Sequence, residues 1–194
     1  NLINSLIKKE NKPKWLFFSS TSHVYKPLDK FKKISEKSKL DPASKYGKTK
    51  ILAEKLILKK LKKYPIKVCI GRIFSFTDKK QKEPFVIPTI KKKLKNSKKK
   101  IVFKNINHFR DFLSTDDIIS AIYILMKTSK FGIYNIGSGK KFDLRKIVKL
   151  FNKNNKDIVF RNTERPTYLI SNNNKLLKTK WCPSKFKDNI KYFY

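Results

Sequence analysis

Short apolar runs alternate with longer stretches of helical period along this chain, and that alternation admits few folds. WLFFS at 15–19, IKVCIGRIF at 66–74 and GIYNI at 132–136 read as strands; the second lies in the longest apolar run even though it holds Arg72. A helix end at 2–9 precedes the first strand, and a long helix at 45–63 with Ala53, Leu56, Ile57 and Leu61 on one side separates the first from the second. Phe85, Val86, Ile87 and Ile90 lead a further helix at 84–95, followed by a short strand at 101–103. Ser114 and Asp117 form a capping pair for a helix at 117–127. Gly137 and Gly139 allow a tight turn before a helix at 144–152. Strands and helices in this order build a parallel sheet covered by helices, so the expected fold class is α/β.

The chain has 194 residues and a formal net charge of +35, with 39% hydrophobic and 13% aromatic residues, enough for a core. So much positive charge attracts polyanions without specificity. The lysines, however, are spread along the chain and are not interleaved with aromatics as a single-strand platform requires, so no specific nucleic-acid partner is expected. The stretch 91–100 reads either as a basic patch or as a polar helix end and loop. No apolar run reaches the roughly 18 to 20 residues of a membrane span. Nothing near Asn1 has the pattern of a signal peptide, so a cytoplasmic location without membrane partners is expected. Cys69 and Cys182 are few and far apart and read as reduced core residues. His23 and His108 lack ligand-like spacing, and no metal site is expected.

The chemistry concentrates at Thr21, at the end of the first strand, and in SKYGKTK at 44–50. Tyr46 and Lys50 are four apart at a helix start and so share a face. A free tyrosine has a pKa of about 10, and a neighbouring ammonium favours its phenolate. Tyr46 is therefore a candidate general acid/base, with Thr21 as a hydroxyl partner. In so lysine-rich a chain the same spacing also fits an ordinary exposed helix start. The IGSG turn at 136–139 lacks the third glycine and the early position of a dinucleotide fingerprint, and reads as a turn after the last strand.

Taken together, WLFFSSTSHVYK, SKYGKTKILAEKLI, GRIF, FRDFLSTDD, YNIGSG and ERPT stand in an order that resembles the extended short-chain dehydrogenase/reductases. These are the nucleotide-sugar epimerases, dehydratases and 4-keto reductases that use NAD or NADP. The resemblance runs from about Asn1 to about Pro183. It implies that Thr21 is the catalytic hydroxyl residue, Tyr46 the catalytic base, and Lys50 the lysine that holds the nicotinamide ribose and tunes the tyrosine. It implies that Phe74 and Ser75 contact nicotinamide and sugar, and that Phe85, in RIFSFTDKKQKEPFVIP, helps shape the nucleotide site. Ser75 and Phe76 stand where the family often has Asn-His. Arg110 and Arg165 match arginines that grip the diphosphate. Of 49 basic residues only Arg72, Arg110, Arg145, Arg161 and Arg165 are arginine, leaving 44 lysines, so arginine survives here where its bidentate fork matters. Alternatively, Arg110 pairs with Asp111 or Asp116, and Arg165 is a surface residue before Pro166.

The resemblance also implies a Rossmann-like parallel sheet of which this chain is the C-terminal portion, because the family's opening strand and glycine-rich turn have no counterpart in it. By themselves these residues are expected to bind NAD(P) weakly or not at all. The dinucleotide-binding part is expected at 1–75 and 114–139, and a smaller α/β substrate-binding region at 76–113 and 140–194. The expected activity is that of an NAD(P)-dependent nucleotide-sugar epimerase or 4-keto reductase, acting by hydride transfer at a ring carbon. The partner is a nucleotide-diphosphate sugar; a homodimer through the helix bearing Tyr46 and Lys50 is a further expectation. Dehydratases of the family carry an acidic residue just after the catalytic Thr, where this chain has Ser22 and His23. A sugar-nucleotide 4,6-dehydratase is therefore the second reading, and a non-catalytic basic binding module the third.

Overall fold

The computed structural model describes residues 2–96 and 100–184. Positions 97–99 of the basic stretch and 185–194 of the expected substrate region lie outside the described residues. In chain order the elements are α1 (Leu2–Lys8), β1 (Trp15–Thr21), a single 3₁₀ turn (Ser22–Val24), α2 (Lys45–Leu61), β2 (Lys67–Ile73), β3 (Ser75–Thr77) and α3 (Val86–Asn96). They continue with β4 (Lys100–Lys104), β5 (Phe109–Arg110), β6 (Phe112–Ser114), α4 (Thr115–Lys127) and β7 (Gly132–Ile136). The last are β8 (Phe142–Asp143), α5 (Leu144–Phe151), β9 (Asp157–Arg161), β10 (Tyr168–Leu169) and α6 (Asn174–Leu177).

β1, β2 and β7 form a parallel sheet in that order, with Trp15 opposite Lys67 and Cys69 opposite Gly132. Side chains alternate across it. Leu16, Phe18 and Val68 join Ile3, Ile57, Leu61 and Ile66 under α1 and α2, while Trp15, Phe17, Cys69 and Ile136 join Ile118, Ala121 and Leu125 under α4. Burying each large aliphatic contributes about 1.5–3 kcal/mol. Gly71 makes the second face possible, since a Cβ there would meet the Phe17 ring at 2.4 Å and the Ile136 side chain at 2.8 Å. A separate core lies between α3, α5 and the parallel pair β4–β9, built from Ile87, Ile90, Leu94, Ile101, Phe103, Ile147 and Val148.

The stripe of α2 that faces the sheet is Gly47, Lys50, Glu54, Ile57 and Leu61, at spacings of three and four. Leu56, expected on that face, is instead 42% exposed, and Glu54 is buried with Arg72 of β2. Arg72 Nη2 donates to Glu54 Oε2 at 2.6 Å and its Nε to Oε1 at 3.1 Å. Its Nη1 donates to the Tyr25 hydroxyl at 2.8 Å and to the Glu36 carbonyl at 3.2 Å. Ser20 of β1 donates to Glu54, and Tyr25 donates to Asn135 of β7. Burial by itself would lower the Arg72 pKa; hydrogen bonds and charge from Glu54 and Tyr25 outweigh it and hold the guanidinium above its ordinary value. One network thus ties α2 to all three strands.

Other local expectations shift by small amounts. α4 begins at Thr115, two residues before the expected start, because Ser114 is its N-cap and completes a reciprocal capping box with Asp117. Cys69 is buried, and burial pushes its thiol up to about 12. Cys182 is exposed, not in the core, since the chain beyond α6 runs over the surface with Trp181 as its buried anchor. Among the described residues no helix is long and apolar enough to cross a membrane, and no cluster of His, Cys, Asp or Glu is placed to hold a metal ion.

Removing one member of the buried pair strands the other. Arg72→Leu or Glu54→Leu is expected to lower unfolding stability by about 3–5 kcal/mol in urea titrations, and the double substitution by less than the sum. A single substitution costing under about 1 kcal/mol would show that the pair does not hold α2.

Candidate active site

A cleft of about 850 Å³ opens at the carboxyl ends of β1 and β2, the edge of a parallel α/β sheet at which ligands bind as a rule. Its walls include Ser19, Thr21, His23, Tyr46, Phe74, Ser75, Phe85, Lys104, His108 and Arg110. Thr21, the last residue of β1, is 7% exposed and its Oγ1 accepts the His23 N–H at 3.2 Å. The hydroxyl hydrogen can therefore point into the cleft. Opposite it, Ser44 caps α2 by accepting the Gly47 N–H at 3.1 Å. Tyr46 consequently stands in the first turn, 54% exposed, with its ring edge-on to His23 at 6.2 Å between centroids.

The helix can come so near the 3₁₀ turn only because position 47 lacks a side chain: a Cβ there would lie 2.2 Å from the His23 carbonyl oxygen and 2.8 Å from Pro42 Cβ. Lys50, one turn further, donates from Nζ to the Ser19 carbonyl at 2.9 Å. That anchor leaves its ammonium 5.7 Å from the Tyr46 ring centroid and 5.1 Å from that of Phe18. The structure thus brings Thr21, Tyr46 and Lys50 together across two elements 25 residues or more apart in sequence.

Phe74 borders the cleft but is 2% exposed: its ring packs with Val24, Tyr25 and Leu169, and its N–H donates to the Ile136 carbonyl. Ser75 is half-buried and Phe85 is 53% exposed on the opposite side. Arg110 enters from β5. Its Nη1 donates to the Phe109 carbonyl at 2.8 Å and the Thr167 carbonyl at 3.0 Å, and both terminal nitrogens reach Thr167 Oγ1 at 3.2 Å. These acceptors are neutral, and burial pushes the guanidinium down to about 10, the state of a cation that an anion would stabilise.

The neighbouring Asp111 does not serve Arg110. It is fully buried, and its carboxylate accepts Ser138 N–H at 2.8 Å, Gly139 N–H at 2.9 Å, Ser171 N–H at 3.1 Å and the Ser138 and Ser171 hydroxyls at 2.5 Å. Burial pushes its pKa up against the pull of those donors. The glycine turn after β7 is therefore a cradle for a carboxylate of the chain itself. Arg165 is exposed in the segment between β9 and β10 and is not among the residues lining the cleft.

Three cleft residues carried no sequence signal of their own. Lys104 and His108 arrive from the far end of β4 and the approach to β5, and His23 from the 3₁₀ turn. His108 Nδ1 lies 3.1 Å from Thr167 Oγ1, beside Arg110, and burial followed by the Arg110 charge lowers its pKa. The one clue to His23 was its place, two residues after Thr21, where the family's dehydratases carry an acidic residue. No Asp or Glu lines the cleft among the described residues.

Fold and cleft define a Rossmann-type α/β protein with a hydroxyl, a phenol and an amine at the strand ends and an arginine whose acceptors among the described residues are neutral. The chain belongs to the GDP-mannose 4,6 dehydratase family, whose model it matches over residues 1–188, within the extended short-chain dehydrogenase/reductases. It is 33% identical over 105 residues to a dTDP-D-glucose 4,6-dehydratase of Dictyostelium discoideum, covering 54% of this chain and 24% of that protein. It is 30% identical over 144 residues to an uncharacterised UDP-glucose epimerase of Bacillus subtilis, covering 73% and 45%. Among solved structures, UDP-glucuronic acid 4-epimerase from Bacillus cereus in complex with UDP-glucuronic acid and NAD superposes with a TM-score of 0.85 at 23% identity, over all of this chain and 63% of that one. The chain thus spans less than half the length of these two relatives.

Because Gly47 sets the spacing between Tyr46 and the 3₁₀ turn, Gly47→Ala is expected to cost about 1–3 kcal/mol of stability by overpacking. Thermal unfolding measures it, and a neutral substitution would mean that the turn gives way without cost.

Proposed function

We propose that the cleft belongs to an NAD(P)-dependent nucleotide-sugar 4-epimerase or 4-keto reductase that acts by hydride transfer at a sugar ring carbon. The observation that carries this reading is the convergence of Thr21 and Tyr46 on one end of a cleft whose other wall holds Arg110 against neutral acceptors only. In this reading the Thr21 hydroxyl holds the oxygen of the reacting carbon. Tyr46 exchanges the proton of that oxygen as the carbon is oxidised to a ketone, and returns it when the ketone is reduced. Lys50, anchored on Ser19, places a positive charge beside the phenol and a donor for a ribose hydroxyl. Arg110 grips the diphosphate, with Lys104 near it, while Ser75 and Phe85 frame the sugar and nucleotide. Arg165 belongs to this set only if its exposed segment folds over the ligand.

The residues present fit the nicotinamide end of a dinucleotide: a phenol, an ammonium and a buried aromatic, Phe74, at the strand ends. When bound, NAD or NADP supplies the hydride acceptor. The division of labour proposed is dinucleotide binding by 1–75 with 114–139, and substrate binding by 76–113 with 140–194. Leu52 and Leu56, exposed on α2, are the surface through which a second copy would pair. Epimerase or reductase is preferred over 4,6-dehydratase because water loss needs a carboxylic acid and a base beside Thr21, and the cleft lining carries neither Asp nor Glu.

In a protein that joins this chain to a dinucleotide-binding half, Tyr46→Phe should reduce turnover on the order of 10²-fold with substrate affinity little changed; undiminished turnover would remove Tyr46 from the mechanism. Arg110→Gln should weaken UDP binding, measured by calorimetry, by about 10-fold or more. Equal affinity would place the diphosphate elsewhere.

A further inference from the structure

Arg110 is held in part by residues that do not line the cleft. Its Nη1 and Nη2 both donate to Thr167 Oγ1, at 3.2 Å each, and so occupy the two lone pairs of that hydroxyl. The hydroxyl hydrogen is then left for His108 Nδ1, 3.1 Å away, to which the Thr167 N–H also donates at 3.3 Å. With Nδ1 as an acceptor, a neutral His108 carries its proton on Nε2. Nε2 lies 3.7 Å from Glu164 Oε2. Glu164, in the segment between β9 and β10, is fixed in turn: Oε1 accepts Asn105 Nδ2 at 2.9 Å, and its carbonyl accepts Asn107 Nδ2 at 2.9 Å. Every hydrogen along this line points one way, from Arg110 to Thr167, from Thr167 to His108 and from His108 toward Glu164. The His108 side chain is only 14% exposed. Burial, then the Arg110 charge, lower its pKa while Glu164 pulls the other way. The imidazole is thereby kept neutral near pH 7, the state in which Nδ1 can accept.

Resting on the nucleotide-sugar reading above, we propose that Thr167 and His108, backed by Glu164, are positioning residues for the diphosphate grip: together they hold the Arg110 guanidinium in one orientation before the ligand arrives. The carbonyls of Phe109 and Thr167 reach Nη1 alone. Among the described residues the Thr167 hydroxyl is the one acceptor that both terminal nitrogens share, so it sets the rotation of the fork. His108 keeps that hydroxyl turned with its lone pairs toward Arg110. Ordering the fork in advance removes a cost that binding would otherwise meet.

The test is calorimetric titration of UDP into the chain and into Thr167→Val, which keeps the branched shape and removes the hydroxyl. Affinity is expected to fall about 3- to 10-fold, and Thr167→Ser, which keeps a hydroxyl, should restore most of it. His108→Leu should weaken UDP in the same sense. In the Arg110→Gln background neither Thr167→Val nor His108→Leu should have a further effect, because the influence of both runs through that guanidinium. Uridine, which lacks the diphosphate, should bind the wild-type chain and Thr167→Val alike in NMR titrations, a result that general distortion of the cleft would not give. Unchanged or tighter UDP binding by Thr167→Val, a loss that uridine shares, or losses that add to that of Arg110→Gln overturn the positioning role while leaving the nucleotide-sugar site intact. If the wild-type chain binds no UDP, the site reading falls and this proposal with it.

Discussion

The buried ion pair between Glu54 of α2 and Arg72 of β2 sets the geometry on which the site depends. Two charges in a low-dielectric interior are tolerable only when nearly every polar atom is matched, and here Ser20, Tyr25 and the Glu36 carbonyl complete the match. The pair therefore holds α2 at one height and one rotation over the sheet. Lys50 and Tyr46 lie one and two turns above Glu54 on the same helix, so the clamp fixes their distance from Thr21 as well. Gly47 then lets the helix start close against the 3₁₀ turn. The candidate catalytic triad is positioned by a contact that none of its members makes.

A second buried carboxylate organises the far wall. Asp111 gathers three backbone N–H groups and two hydroxyls from the glycine turn and from Ser171, joining the strand end of the sheet to the segment after β10. Along an extended chain successive side chains point to opposite sides, so burying Asp111 in that cradle turns Arg110 toward the cleft. Among the described residues the arginine's hydrogen bonds go to neutral acceptors, while the aspartate has its donors supplied internally. A glycine turn with the look of a phosphate loop is thereby occupied by the chain's own anion.

The fold was legible because it follows from local pattern. Apolar runs bounded by helical stretches mark β1, β2 and β7, and their parallel order follows from the intervening helices. The short strands β3, β5, β6, β8 and β10 escaped notice, since two or three residues carry no periodicity of their own and exist only as partners of one another. Leu56 was misplaced for a related reason: a helix face is chosen by what lies opposite it, and here a buried guanidinium selected Glu54. Thr21, Tyr46 and Lys50 stood out by residue type, spacing and family likeness, whereas Lys104 and His108 are ordinary until the chain folds.

The sequence by itself determined the class of architecture, the strand ends at which chemistry can occur, and the one-turn spacing that puts Tyr46 and Lys50 on a common face. Those properties depend on neighbours within a few residues, where backbone geometry leaves little choice. Only the tertiary structure decided which charges are buried, that Asp111 faces inward while Arg110 faces the cleft, and that the His23 ring stands edge-on to Tyr46. Each of these depends on groups dozens of residues apart being brought together in a medium of low dielectric, where the energy of a charge is set by what surrounds it and not by its place in the chain.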